Sequence, residues 1–126
     1  MNTPKRYRRK ASAIDKLIPR NGDTVEAMQL IGRPVETMAV CEWIRDNGYP
    51  WLLGNATQPE TLVPEGGGKV GDPGIYIDPS TGKLVVRSRS SHEYGSYGEW
   101  FLHFSDGSFR AYSQEMFGAL YEPLED

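Results

Sequence analysis

The dipeptide Asp106-Gly107, set between the runs 99–105 and 108–112, constrains this chain more than any other feature. Glycine adopts positive φ without steric cost and aspartate tolerates it, so the pair suits a tight hairpin turn between strands rich in Trp, Phe, Leu and Tyr. An earlier turn, Pro79-Ser80-Thr81-Gly82, separates the apolar runs 74–78 and 83–87 and predicts another hairpin. The second half of the chain is therefore read as antiparallel sheet. Ser113 reads as the N-cap of a short helix over 114–120, and 121–124 as a last extended segment.

A two-residue turn that sets Ser105 opposite Ser108 pairs Phe104 with Phe109, His103 with Arg110, Leu102 with Ala111 and Phe101 with Tyr112. Directly paired residues share a face. Trp100, Leu102, Phe104, Phe109 and Ala111 then form the core face. Glu99, Phe101, His103, Arg110 and Tyr112 form the other, where aromatic planes stand beside a cation and an imidazole. That combination suits a small anionic, nucleotide-like ligand, a ring stacking on a base while Arg110 meets phosphate or carboxylate. Arg87 and Arg89 lie two apart on the preceding strand and could add to such a site or serve as a solvated row.

The first half offers a half-buried strand over 24–30 and a helix over 34–47, with Pro34 at its first position and Gly48 as its stop. The helix's apolar residues spread around the wheel, which suggests cover on more than one side. Residues 54–74, rich in Gly and Pro, read as a long surface loop. Residues 88–98 are polar and aromatic, and 94–98 within them read as a flexible connection.

Charge is unevenly placed. The first twenty residues hold seven basic groups and one acid, whereas the remainder holds seven basic and sixteen acidic groups. Residues 1–20 are accordingly expected to be a flexible basic head and 21–126 a single domain. Lys5, Arg6, Arg8, Arg9 and Lys10 in that head are nucleic-acid candidates, because clustered cations neutralise phosphates irrespective of sequence. The longest apolar runs fall far short of the roughly 20 residues that span a bilayer, and no apolar segment of signal-peptide type follows the basic start. The lone Cys41 admits neither an internal disulfide nor a cysteine zinc site, so a cytoplasmic setting is expected.

Catalytic patterns are weak. Gly66-Gly67-Gly68-Lys69-Val70 resembles a phosphate loop superficially, but Val70 stands where a hydroxyl must reach magnesium. His92 and His103 lie too far apart for a helical metal pair, and Cys41 reads as a small buried hydrophobe. The expectation is a protein without catalytic residues, metal or cofactor.

Gly98-Glu99-Trp100-Phe101-Leu102, then Asp106-Gly107-Ser108-Phe109, Met116-Phe117 and Tyr121-Glu122-Pro123 resemble the ending of small proteins widespread in phages and prophages. Tyr7-Arg8-Arg9-Lys10 and Val25-Glu26-Ala27-Met28-Gln29 are similar to the usual start of those proteins. The chain departs from them by inserting 11–24 between these two pieces, by carrying Ala111-Tyr112-Ser113-Gln114 where they have a Pro-Cys-Lys-Pro stretch, and by its loop over 54–74. The resemblance implies a fold and a viral origin, and no activity.

The combined expectation is an α+β fold with a mixed or antiparallel sheet of four to five strands, one main helix and a short C-terminal helix. Its expected role is a phage accessory protein that binds a small anionic ligand or a host protein and interferes with host defence. The alternatives are nucleic-acid binding through residues 5–10 and a minor virion component that buries its aromatic face in a homo-oligomer.

Overall fold

The structure, a computed structural model, describes residues 3–10, 24–32, 34–89 and 91–124. In chain order the described elements are β1 (Lys5–Arg9), β2 (Thr24–Gln29), α1 (Pro34–Asp46), β3 (Leu52–Leu53), a 3-10 turn (Pro59–Thr61), β4 (Val63–Pro64), β5 (Gly74–Ile77) and β6 (Leu84–Arg87). They continue with β7 (His92–Gly95), β8 (Trp100–His103), β9 (Phe109–Tyr112), α2 (Gln114–Leu120) and β10 (Tyr121–Pro123). The fold is α+β and mostly sheet. In place of one sheet the described residues form three, all paired antiparallel: five strands in the order β10-β1-β2-β8-β9, three in the order β5-β6-β7, and the short ribbon β3-β4.

The main core lies between one face of the five-stranded sheet and a layer made of α1 with the three-stranded sheet. It gathers Met28, Leu30, Val40, Trp43, Ile44, Ile75, Leu84, Val86, Phe101 and Phe109. On α1 the buried residues Val40, Cys41, Trp43 and Ile44 follow the 3.6-residue period as one stripe, and Met38 is half-exposed, so the helix is covered from one side. Gly48, at φ 100°, ends it as the left-handed stop that the sequence suggests. The opposite sheet face carries a second core, Val25, Ala27, Leu102 and Tyr121 under Phe117 of α2. Ser113 caps that helix by accepting a hydrogen bond from the Met116 amide at 3.1 Å.

Four readings change. Lys5–Arg9 is an inner strand of the large sheet rather than part of a flexible head, because Tyr7 anchors it by edge contacts to Trp100 at 5.7 Å and Phe117 at 4.9 Å. Residues 11–20 lie outside the described residues. The segment 88–98 contains β7, whose inward Gly95 accommodates the Phe101 ring. The segment 54–74 lies at the surface, with 65–71 exposed throughout, but it is anchored: Leu62 is buried with Leu52, Tyr76 and Val85 on the outer face of the three-stranded sheet. The last change concerns register. The Phe104 amide donates to Ser108 O and the Gly107 amide to Phe104 O, each at 2.9 Å, so the loop has three residues, with Gly107 at φ 90°. His103 then pairs with Phe109, Leu102 with Arg110, Phe101 with Ala111 and Trp100 with Tyr112.

Candidate functional site

That one-residue difference sends the two strands' side chains to different faces. Phe101, His103, Phe109 and Ala111 share the main-core side. Arg110 and Tyr112 share the opposite side with Trp100, Leu102 and Phe104. The four residues expected on one ligand face are therefore split. Phe101 is wholly buried in the main core. Arg110 is exposed, and the Tyr112 ring lies 6.2 Å from that of Tyr121. The remaining member, His103, borders a groove.

The groove lies where α1 stops covering the sheet. Arg6 on β1 pairs directly with Glu26 on β2, Glu26 with His103 on β8, and His103 with Phe109 on β9. Four adjacent strands thus contribute one residue each to a transverse row of cation, acid, imidazole and ring. The next row holds Thr24, Arg8 and Glu122. Arg6, Thr24, Glu26 and His103, with the β8–β9 turn residues Phe104, Ser105 and Gly107, line about 330 Å³ of open space. A second cavity of about 450 Å³, lined by Lys5, Arg6, Tyr7, Pro123 and Leu124, borders it through Arg6.

Local packing orients each group. The His103 ring stacks on Phe109 with centroids 4.4 Å apart and meets Trp43 edge-on at 6.3 Å. Its Nδ1 stands 3.8 Å from Glu26 Oε1, beyond hydrogen-bond length. Arg6 Nη2 donates to Thr24 Oγ1 at 3.3 Å. Although Glu26 sits directly across from Arg6, the two form no ion pair, so a guanidinium and a carboxylate face the groove with open hydrogen-bonding positions.

The other basic candidates are dispersed. Arg8 pairs with Glu122 at 2.7 Å, a surface contact worth at most about 1 kcal/mol. Arg9 points to the α2 side, its guanidinium 5.9 Å over the Tyr121 ring, and its Nε is buried without a hydrogen-bond partner. Lys10 Nζ donates to Gly118 O at 2.6 Å. Lys5 is exposed on the α2 side of the strand, opposite in direction to Arg6. Alternation along β1 thus divides the five cations between two faces, and the C-terminal segment engages three of them.

Arg87 and Arg89 do not form a site together. Arg87 shares a face with Val85, as strand alternation requires, but the chain over 59–72 covers that face and leaves Arg87 3% exposed. Its guanidinium donates to the carbonyls of Pro59, Leu62 and Asp72. Arg89 lies past the strand end, exposed. In the Gly66-Gly67-Gly68-Lys69 segment the Lys69 amide donates to Asp72 Oδ2 at 3.0 Å, so the loop's own carboxylate occupies a donor that a phosphate would need. Burial in α1, with Glu42 beside it, pushes the Cys41 thiol up to about 11, far from a nucleophile's range.

Glu26 and Thr24 are not legible as site residues in the sequence, and Arg6 is read there only as one of the basic nucleic-acid candidates. The signal that could have found them is the alternation of 24–29 combined with a strand at 5–9, which sets Arg6, Glu26 and His103 in register. Among the described residues no helix is long and apolar enough to cross a membrane. Compared with protein-family models, with curated proteins and with solved structures, the chain shows no significant match.

Proposed function

We propose that this chain is a non-catalytic binding protein whose groove beside His103 holds the anionic group of a small ligand. One observation carries the reading: among the described residues the Arg6 side chain stands at the groove with one hydrogen bond, to Thr24, and with no ion pair to the carboxylate directly across from it. A guanidinium has five N–H donors in a fixed fork suited to carboxylate or phosphate, and most of these remain for a ligand. His103, held by Phe109, adds a polar edge on the far side of the groove. The similarity of 98–123 to small phage and prophage proteins supports an accessory role of this kind in the host cytoplasm.

The reading is tested by thermal shift with inorganic phosphate and adenosine monophosphate on the wild type, Arg6→Gln and Arg110→Gln. Ligand stabilisation is expected in the wild type and Arg110→Gln and lost in Arg6→Gln. Loss in Arg110→Gln with retention in Arg6→Gln would place the site on the opposite face and overturn the proposal.

A further inference from the structure

We infer that the groove selects a compact zwitterion, a small molecule that carries an anionic and an ammonium group two or three bonds apart, as an α-amino acid does. This rests on the reading of the groove as a ligand site and specifies its ligand.

Arg6 and Glu26 occupy directly opposed positions on adjacent antiparallel strands. Opposite charges so placed ordinarily attract each other across the strands. Here they do not close. Arg6 turns to Thr24 Oγ1 at 3.3 Å, and Glu26 Oε1 stands 3.8 Å from His103 Nδ1. The Glu26 side chain, which lines the groove, stays 46% exposed. A cation and an anion thus stand one strand pairing apart, about 5 Å between backbones, both open to one space.

This arrangement weakens, without abolishing, the binding of a ligand that carries one sign of charge. A simple anion on Arg6 would lie close to the Glu26 carboxylate, and a simple cation on Glu26 would lie close to the guanidinium. A molecule bearing both groups satisfies both. Because the two side chains start from directly paired positions, a ligand that meets both of them is short, as an α-amino acid is. In a nucleoside monophosphate the ribose holds the phosphate and the base donors further apart. The groove's volume of about 330 Å³ agrees with a ligand of that size, since small-molecule sites begin near 300 Å³. Phe104, Ser105 and Gly107 of the β8–β9 turn bound one end of the groove.

The test is isothermal titration of the full chain with glycine, L-leucine, acetate, methylamine, inorganic phosphate and adenosine monophosphate, repeated with Glu26→Gln and Arg6→Gln. Both substitutions lie at solvent-facing positions, and circular dichroism checks that they fold. The amino acids should bind the wild type and weaken at least tenfold in each variant, while acetate and methylamine bind no more than a tenth as tightly. If phosphate or the nucleotide binds the wild type more tightly than either amino acid, and more tightly still in Glu26→Gln, the zwitterion inference is overturned while the groove stands as an anion site. If no probe binds the wild type, both readings fall.

Discussion

The guanidinium of Arg87 grips the backbone carbonyl of Asp72 with two hydrogen bonds, from Nη2 at 2.6 Å and from Nε at 3.1 Å. Its other bonds reach Pro59 O at 2.7 Å and Leu62 O at 3.2 Å. One side chain at the end of β6 thereby fastens the chain over 59–72 to the three-stranded sheet, and carbonyl dipoles surround its charge. Arg87→Met leaves three carbonyls short of a donor and is expected to destabilise the protein by about 2–4 kcal/mol. Arg87→Lys should recover little of this, because an ammonium lacks the planar fork that reaches all three carbonyls. Urea denaturation measures the loss, and limited proteolysis should show early cleavage within 54–72 in Arg87→Met.

Gly95 and Phe101 make a contact that only glycine permits. A β-carbon at position 95 would lie 2.5 Å from Cε2 and Cζ of the Phe101 ring, and that ring is wholly buried. Gly95→Ala is expected to cost about 1–3 kcal/mol through overpacking. Phe101→Leu costs stability by itself but vacates the space. The double variant should therefore be less destabilised than the sum of the singles, which a double-mutant cycle in urea tests directly.

Cys41 provides a pH prediction. Burial, reinforced by Glu42, raises its thiol from an ordinary value of 9.0 to about 11 in the fold. A raised value means that the folded state holds the proton more tightly than the unfolded chain. The stabilisation is then complete below about pH 9 and is lost as pH rises through about 11, a change on the order of 2 kcal/mol. Wild type and Cys41→Ala should accordingly converge in stability across that window. At pH 8 the folded protein should resist a thiol reagent that labels it rapidly in urea.

The register of the β8–β9 hairpin is open to direct observation. His103 and Phe109 form a pair flanked by the hydrogen-bonded residues Phe104 and Ser108, so their α-protons face each other at short range. A strong cross-strand nuclear Overhauser effect between these α-protons is expected. One between His103 and Arg110 would restore the alternative pairing, bring Arg110 onto the groove face beside His103 and contradict the division of faces given above.

Much of the architecture is legible in the sequence because it rests on local signals. Proline and glycine bracket α1, Ser113 caps α2, and apolar alternation marks β2, β5 and β6. The misread parts depend on contacts between distant residues. Asp106-Gly107 announces a turn, but whether the loop holds two residues or three depends on where the Phe104–Ser108 bonds close, and that choice assigns every side chain of β9 to a face. Strand β1 is concealed by its charges, since four of its five residues are basic and only Tyr7 signals burial. Strand β7 turns a glutamate and a glycine inward: Glu93 Oε1 accepts from the edge amide of Ala111 at 2.9 Å, and Gly95 yields to Phe101, so no apolar alternation betrays it. The candidate ligand face fails for the same reason. Its residue types suit a site, but only His103 reaches one, in company with Arg6 and Glu26 from strands far away in the chain.

The most direct test of the groove as the binding site is a nitrogen–proton correlation titration of the full chain with L-leucine. The account predicts saturable shifts concentrated at Arg6, Thr24, Glu26, His103, Ser105 and Gly107, with Arg110, Tyr112 and Met116 on the other side of the sheet unmoved. Shifts concentrated instead at Arg110 and Tyr112, or none at any concentration up to tens of millimolar, would contradict it.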